Sequence, residues 1–401
     1  MLLGVVGKPN VGKSTFFKAL TMSDILIANY PFATIEPNKG FGHVRIDCVD
    51  TFFNVQCNPR TGFCKKHQRF VPVEIIDVAG LVPGAYEGKG MGNKFLDDLR
   101  QADALIHVVD ASGSTNEKGE NVPRNSYDPV NDVKFLEIEL DQWYLGILNK
   151  VWPKFTKQIQ QLKQDPIEEI TRQFTGLGLT ESKVVEALEL SKLKEENIAK
   201  WTDQELERFA SSLRKISKPI IIAANKIDIP QTIENVERLK KEFPNYLIIP
   251  VSAESELVLR EASNHNLIDY LPGDNNFEIT QEGRGKLNER QIKALEFVKN
   301  NILEKCNSTG IQQVINHCVF DLLDYIAIFP GGMNKLEDKN GRILPDCFLL
   351  PNGSKAIDFA YKIHTDLGKH FIKAMDVKEK RVIGADHKLK HLDVIEIMSN
   401  A

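Results

Sequence analysis

The sequence predicts an α/β protein: a mostly parallel sheet, an inserted helical segment and a small α+β domain at the C-terminal end. Three observations carry that prediction. Short apolar runs alternate with helix-period segments through Val251, the pattern of a parallel sheet covered on both faces. Gly80 and Asn225, both motif residues, have 144 residues between them, where two strand–helix units take about 60. After about residue 320 the pattern becomes strand-rich.

Met1–Val6 (MLLGVV) reads as a buried strand that ends in a glycine-containing loop. The runs Val71–Val78, Ala104–Val109, Pro219–Ala224 and Tyr246–Val251 have the same character. Within the long separation, Leu136, Leu140, Trp143, Ile147 and Val151 recur every three or four positions, and so do Leu206, Phe209, Leu213 and Ile216. That is the period of amphipathic helices, and a helical hairpin inserted over 131–216 is expected. Near the end, Asn340-Gly341 forms a turn between strand-like runs. Ile343–Leu350 is strand-like, Lys355–Thr365 is helix-like, and Phe371–Val377, Arg381–Ala385 and Leu392–Ile397 are short strands, in the order ββαβββ. The expected domains are therefore 1–130 with 217–320, an insertion at 131–216, and 321–401.

Composition narrows the functional classes. Of 401 residues, 42% are hydrophobic and 26% charged, and the formal net charge is −4. No overall basic field draws the chain onto nucleic acid. Residues 330–401 carry 12 Lys/Arg against 10 Asp/Glu, with His364, His370, His387 and His391, which reads as a solvated surface. No apolar run approaches the roughly 18 residues of a membrane span, and a functional loop from Gly7 leaves no place for a leader. A cytoplasmic protein is expected, without a membrane partner and as a monomer. The six cysteines are scattered and do not form a disulfide framework. Cys57, Cys64 and His67, with Cys48 as a fourth ligand, could make a zinc knuckle. Their spacing fits no common zinc pattern, and a β-hairpin with Pro59 and Gly62 in its turn is the preferred reading.

Gly7-Lys8-Pro9-Asn10-Val11-Gly12-Lys13-Ser14 fits G-x-x-x-x-G-K-[ST] at every fixed position, after a strand and before a helical pattern beginning at Thr15. Backbone N–H groups of such a loop cradle phosphates at a helix N-terminus. Lys13 is expected to reach the β- and γ-phosphates, and the Ser14 hydroxyl to bind Mg²⁺. Asp77-Val78-Ala79-Gly80 is a D-x-x-G at a strand end: Asp77 can hold Mg²⁺ through water, and the Gly80 N–H can meet the γ-phosphate. Asn225-Lys226-Ile227-Asp228 is N-K-x-D, and Ser252-Ala253-Glu254 follows the next strand. A carboxylate only accepts hydrogen bonds. Asp228 therefore suits guanine, which offers two donors on one edge, whereas adenine presents a ring acceptor. Asn225 is expected to brace the loop, the Lys226 stem to cover the base, and the Ala253 N–H to meet the base oxygen.

These motifs, together with Asn29–Asn38 (NYPFATIEPN), Leu81–Ala85 (LVPGA) and Gly88–Leu96 (GKGMGNKFL), resemble the Obg-related GTPases and, within them, the YchF or Obg-like ATPase branch in its archaeal form. The resemblance spans essentially the whole chain. It implies a G domain, a helical insertion and a C-terminal TGS domain of β-grasp shape. It also implies GTP or GDP as ligand, with ATP as the alternative, Mg²⁺ as cofactor, and a ribosomal or RNA partner. Thr34 matches the switch I threonine that ligates Mg²⁺, and 81–96, with Gly84, Gly88, Gly90 and Gly92, matches switch II. Leu81 stands where many small GTPases carry a water-positioning glutamine, so slow hydrolysis is implied. Asn10 matches the asparagine that supports K⁺ binding in K⁺-stimulated relatives. Other members have a degraded N-K-x-D and favour ATP, whereas this motif is intact. Bacterial members also carry a histidine after the strand that ends near Asp110; residues 111–131 contain none, and His107 reads as a core residue. A nucleotide-gated binding module with little turnover is the reading from a different class.

Overall fold

A computed structural model of the chain describes residues 1–21, 38–78, 92–162 and 165–400. Thr34, Gly80, Leu81, Gly84, Gly88 and Gly90 lie outside the described residues. The described residues divide into two compact units, one drawn from 1–19, 38–40 and 74–314, the other from 20–21, 41–73 and 315–400.

The first unit is built on parallel strands. β1 (Leu2–Val6) leads through the loop into α1 (Lys13–Thr21); β2 (Lys39–Asp47) and β3 (Phe63–Lys65) fall in the second unit except for Lys39 and Gly40, and β4 (Gln68–Asp77) enters the first unit at Glu74. After α2 (Gly92–Gln101) comes β5 (Ala104–Asp110). Each predicted strand forms, within a few residues of its expected bounds. β1 lies between β4 and β5 and runs parallel to both, with Val5 opposite Asp77 and Val6 opposite His107. Four helices come next: α3 (Val130–Leu162), α4 (Pro166–Phe174), α5 (Glu181–Ser191) and α6 (Asp203–Ser217). β6 (Ile220–Asn225), α7 (Thr232–Glu242), β7 (Leu247–Pro250) and α8 (Ala253–Asn264) return to the sheet. β5–β6 and β6–β7 are parallel, with Asp110 opposite Asn225. The chain leaves β1 on one side for β4 and on the other for β5. The carboxyl ends of these strands are therefore a topological switch point, where such sheets bind ligands.

The insertion is a four-helix array rather than the expected hairpin. The two predicted stripes do lie on α3 and α6, where Leu136, Leu140 and Trp143 are buried with Leu206, Phe209 and Leu213. Two further helices fill the residues between them, each with its own start signal. Asp165 caps α4 ahead of Pro166, its carboxylate accepting from the Ile167 N–H at 2.8 Å, and Thr180 caps α5. α6 begins with a Thr202–Glu205 capping box. A ring chain of Phe155, Trp152, Trp201 and Phe209, with centroids 4.9–5.5 Å apart, joins α3 to α6. The buried Arg214 guanidinium on α6 donates to Asp141 at 2.7 Å and to the Tyr246 hydroxyl at 3.2 Å, and Tyr246 donates to Glu137 at 2.6 Å. The array is thereby fixed to the sheet through residues of α3 and the approach to β7. No helix among the described residues is long and apolar enough to cross a membrane.

The first unit closes with β8 (Ile268–Asp269), β9 (Glu278–Ile279), α9 (Gln281–Lys286), α10 (Glu289–Val298), α11 (Glu304–Cys306) and α12 (Ile311–His317); the last residues of α12 fall in the second unit. The second unit continues with β10 (Tyr325–Pro330), β11 (Phe348–Pro351), α13 (Ala356–Ile363), α14 (Thr365–Lys369), β12 (Phe371–Asp376), β13 (Arg381–Ile383) and β14 (Val394–Ser399). The sheet order is β11-β10-β14-β12-β13, with the central β10–β14 pair parallel and the other pairs antiparallel. Phe359, Ala356 and Ile328 pack in one core with Ala374, Ile383 and Ile395. This is the β-grasp arrangement. It differs from the expected order by a second short helix, α14, and Asn340-Gly341 turns a loop outside the named strands, where Gly341 takes φ 76°. Residues 41–73 also belong to the second unit. Its hairpin, β3–β4, turns at Lys66-His67, both with positive φ (51° and 56°), and not at the expected Pro59 and Gly62. A two-residue connection with both φ positive matches the right-handed twist of the strands.

His107 sits in β5 as a core residue, and its Nδ1 has no hydrogen-bond partner among the described residues. Burial, with the Lys8 ammonium adding repulsion, pushes its imidazole down to about 3. A free imidazole titrates near ~6.5, so the folded chain binds fewer protons than the unfolded one below that pH. The corresponding stability is complete above ~6.5 and is lost as the pH falls toward 3. Between pH 7.5 and 5 the loss is about 2 kcal/mol. In His107→Gln, urea unfolding should show a pH dependence weaker than wild type by about that amount. An unchanged dependence would mean that the buried imidazole is not the group lost.

Candidate functional site

The loop between β1 and α1 forms because its glycines occupy places closed to a side chain. Gly12 takes φ 91°, and a Cβ there would lie 2.3 Å from Asn225 Nδ2. Asn10 adopts φ 63°, a left-handed conformation that asparagine tolerates. Val11 is buried, Thr15 is partly buried and Ser14 is exposed at the start of α1. The Phe16 N–H donates to the Gly12 carbonyl at 2.8 Å and so begins the helical ladder. Lys13 makes an ion pair with Asp77, the last residue of β4. A hydroxyl at Ser14 and a carboxylate at Asp77 are hard oxygen donors, the kind Mg²⁺ selects, and they flank a lysine suited to phosphate.

Asn225, the last residue of β6, holds two loops at once. Its Nδ2 donates to the Val11 carbonyl at 2.9 Å, and its Oδ1 accepts from the Ala253 N–H at 3.1 Å. The phosphate-loop motif, N-K-x-D and S-A-E are thus assembled around one buried amide. Asp228 Oδ1 accepts from the Ser252 hydroxyl at 2.7 Å, and Ser252 also caps α8 through the Ser255 N–H. The carboxylate is therefore oriented yet keeps acceptor capacity. Lys226 takes φ 71°, and its ammonium donates to Asp110 Oδ2 at 2.9 Å. Glu254 stands exposed in the first turn of α8.

Two residues to which the motifs give no role, Asp110 and Lys8, complete the framework together with Asn10. Asp110 ends β5 and is 1% exposed. It accepts from the Ser112 N–H and hydroxyl, from the Ser114 and Thr115 hydroxyls at 2.9 and 3.0 Å, and from Lys226. Burial alone would raise its pKa, but the bonds from Ser112 and Lys226 outweigh burial and hold the carboxyl below the usual range. Lys8 turns away from the phosphate side. It donates to the Thr115 carbonyl at 2.9 Å and to Asp132 at 2.8 Å, and its ammonium lies 3.9 Å from the Tyr127 ring centroid. Burial lowers the lysine, while burial lifts Asp132 to about 6 against the pull of that same lysine. Asn10 Nδ2 donates to the Gly119 carbonyl at 2.8 Å. The segment after β5 therefore clasps the phosphate loop from behind. A run rich in Ser and Thr just after a strand-ending Asp was the one sequence signal available for it.

The chain matches family models in three stretches: 2–135 to "50S ribosome-binding GTPase", 223–331 to "Obg-like GTPase YGR210-like, G4 motif-containing domain", and 335–399 to "TGS domain". It is 50% identical over 401 residues to an uncharacterized GTP-binding protein of Methanocaldococcus jannaschii, covering 100% of this chain and 99% of that one. It is 28% identical to the protein named ribosome-binding ATPase YchF in Bacillus subtilis, over 93% of this chain and 87% of that one. The crystal structure of a GTP-binding protein from Pyrococcus horikoshii matches with a TM-score of 0.78 at 38% identity, covering 100% of both chains.

Asn225→Ala should leave the Val11 carbonyl and the Ala253 N–H buried without partners. At about 1–3 kcal/mol for each of the two orphaned groups, the expected loss is about 2–6 kcal/mol of unfolding free energy, measured by denaturant titration without nucleotide. A loss under about 1 kcal/mol would mean that the two loops are held together by other contacts.

Proposed function

The chain belongs to the YchF and Obg-like GTPase family, and on that premise we propose that it is a guanine-selective, slowly hydrolysing switch that acts on the translation machinery. The observation that carries the base choice is the intact Asn225-Lys226-Ile227-Asp228, with the Asp228 carboxylate oriented by Ser252 and the loop braced by Asn225. Guanine satisfies an acceptor pair with its ring N–H and exocyclic amine. Adenine sets a lone pair against it, which costs roughly 1–3 kcal/mol or more beside a charge. The domain assignment that goes with this reading is a nucleotide domain over 1–130 and 217–320, a helical insertion over 131–216 and a TGS domain over 321–401.

In this reading the N–H groups from Asn10 to Thr15 cradle the phosphates, and Lys13 exchanges Asp77 for the β- and γ-phosphate oxygens. Ser14, Asp77 and Thr34 hold Mg²⁺, which when bound neutralises phosphate charge. Lys226 lays its stem along the base while Asp110 fixes its ammonium. The Ala253 N–H, which donates to Asn225 Oδ1 at 3.1 Å, shares its proton with the base oxygen, and Ser252 and Glu254 complete that loop. Thr34 and Gly80 respond to the γ-phosphate, and Leu81 supplies no group that orients water, so turnover is slow until charge in the transition state is met from elsewhere. The Asn10 Oδ1 is the atom through which K⁺ would act, since Nδ2 is engaged with Gly119. The ribosome or RNA as partner rests on the matched description "50S ribosome-binding GTPase" and on the name of the Bacillus subtilis relative. A cytoplasmic location follows from such a partner.

Equilibrium binding of GDP, ADP and slowly hydrolysed GTP and ATP analogues, with Mg²⁺ in KCl or NaCl, tests the reading. Guanine nucleotides should bind at least about tenfold more tightly, and Asp228→Asn should erase most of that preference while sparing phosphate affinity. Equal or tighter adenine binding would transfer the proposal to an ATPase of the same fold. Turnover that ribosomes leave unchanged would sink the translational switch.

A further inference from the structure

Between the phosphate-loop motif and Asp77 in the sequence, in the second unit, three thiols and a carboxylate converge. Cys48 follows β2, Asp50 sits in the 3₁₀ turn Val49–Thr51, Cys57 lies in the irregular stretch beyond it, and Cys64 is in β3. One ligand atom from each of the four lies within 4.8 Å of the other three. The Cys48 and Cys57 sulfurs are 3.4 Å apart, and Cys64 Sγ is 3.9 Å from Asp50 Oδ2. Cys48, Cys57 and Asp50 are buried, and Cys64 is partly so. A tetrahedral Zn²⁺ with Zn–S bonds of about 2.3 Å sets its sulfurs roughly 3.7 Å apart, a spacing this cluster reaches with shifts of a few tenths of an ångström to one ångström.

The surroundings are organised as a metal site requires. Asp50 is 0% exposed, and a carboxylate so deeply buried needs partners. Its Oδ1 is 3.0 Å from His67 Nδ1, and its Oδ2 accepts from the Cys57 N–H at 3.1 Å. A histidine holding the far oxygen of a ligating carboxylate is the outer support such sites use. Backbone bonds fix the approach: the Cys48 N–H donates to the His67 carbonyl at 2.8 Å, and the Val55 N–H to the Asp50 carbonyl at 3.1 Å. The Arg69 guanidinium lies 3.7 Å from the Cys57 sulfur, a positive charge set beside that thiol. The thiolate is the form that binds metal. Arg69 also donates to the Leu344 and Pro345 carbonyls at 3.1 and 2.9 Å, so the cluster is tied into the unit it would staple. The stretch from Asp50 to Gly62 has little regular structure and leaves Phe52 largely exposed. A chain segment with so little core of its own gains most from a cross-link.

We propose that Cys48, Cys57, Cys64 and Asp50 form a closed structural Zn²⁺ site that pins the end of β2 and the 49–62 segment to the β3–β4 hairpin. Four protein ligands leave no open position, which separates this site from a catalytic one. The proposal is independent of the nucleotide chemistry.

The test uses full-length protein purified under reducing conditions without chelator. Elemental analysis should find about one zinc per chain. Co²⁺ added to the metal-stripped protein should give sulfur-to-cobalt charge-transfer and tetrahedral d–d bands that saturate at about one equivalent. Cys57→Ser and Cys64→Ser should each weaken Co²⁺ binding at least about tenfold, Asp50→Asn should keep the charge-transfer band and shift the d–d bands, and Cys306→Ser should change neither. Cys64 is the least buried ligand, so its variant, checked by circular dichroism, keeps the test open if Cys57→Ser does not fold. The proposal is overturned if the folded, reduced wild type holds no metal and shows no charge-transfer band on Co²⁺ titration. It is also overturned if the Cys57→Ser/Cys64→Ser double variant retains a full equivalent, or if mass spectrometry finds Cys48 and Cys57 joined as a disulfide in the reduced protein.

Discussion

The nucleotide loops of this chain depend on one carboxylate that no nucleotide is expected to touch. Asp110 closes β5 at the level where β6 ends in Asn225, and it gathers the Ser112, Ser114 and Thr115 donors together with the Lys226 ammonium. Each bond alone contributes on the order of 1 kcal/mol, more where the partner is charged. The larger effect is geometric. A buried anion must be surrounded by donors, and the donors available come from two segments more than a hundred positions apart. Satisfying it therefore folds the segment after β5 into a fixed coil and draws the Lys226 ammonium onto that coil.

That coil then carries the phosphate loop. Thr115, anchored through its hydroxyl to Asp110, offers its carbonyl to Lys8, and Gly119 offers its carbonyl to Asn10. Lys8 extends the chain of contacts to Asp132 in the first turn of α3. Burial works against both charges of this pair, raising the acid and lowering the lysine; their mutual attraction and the Tyr127 ring offset it. The consequence is mechanical. The first helix of the insertion is bolted to the loop that is expected to grip phosphate, while its middle is held through Arg214 to α6. A change in the phosphate loop has a direct physical route into the helical array.

How much of this was legible in the sequence follows from the range of each interaction. The five parallel strands and the β1–α1 loop were readable because their signals are local: the apolar run, the turn and the helix start lie within about fifteen residues. The capped helices α4 and α5 carried signals at Asp165-Pro166 and Thr180, yet their apolar faces are short, and the stronger α3 and α6 stripes concealed them. The Lys66-His67 turn was missed because neither residue is a usual positive-φ former, whereas Pro59 and Gly62 advertise turns. The packing of 41–73 with 315–400 was not readable at all. It rests on side chain to backbone bonds such as Arg69 to Leu344 and Pro345, and a carbonyl acceptor leaves no mark on the identity of its residue. The cysteine cluster was half readable: the right thiols were noticed, but Asp50 in place of His67 as the inner residue depends on a 3₁₀ turn that spacing does not encode.

The two ends of the nucleotide site are not separable parts. Gly12 belongs to the phosphate motif and Asn225 to the base motif, yet the space that a Cβ on Gly12 would need is filled by the Asn225 amide. That same amide donates to Val11 and accepts from Ala253. A side chain at position 12 would have to displace Asn225, which would free the S-A-E loop, and Ser252 would then no longer hold Asp228. The sequence pattern presents these as independent motifs over two hundred residues apart. In the folded chain they are one contact surface, and its tightness makes a glycine at 12 and an asparagine at 225 conditions of each other. The arrangement of the N-K-x-D and S-A-E loops is thus built on the absence of a single methyl group in the phosphate-loop motif.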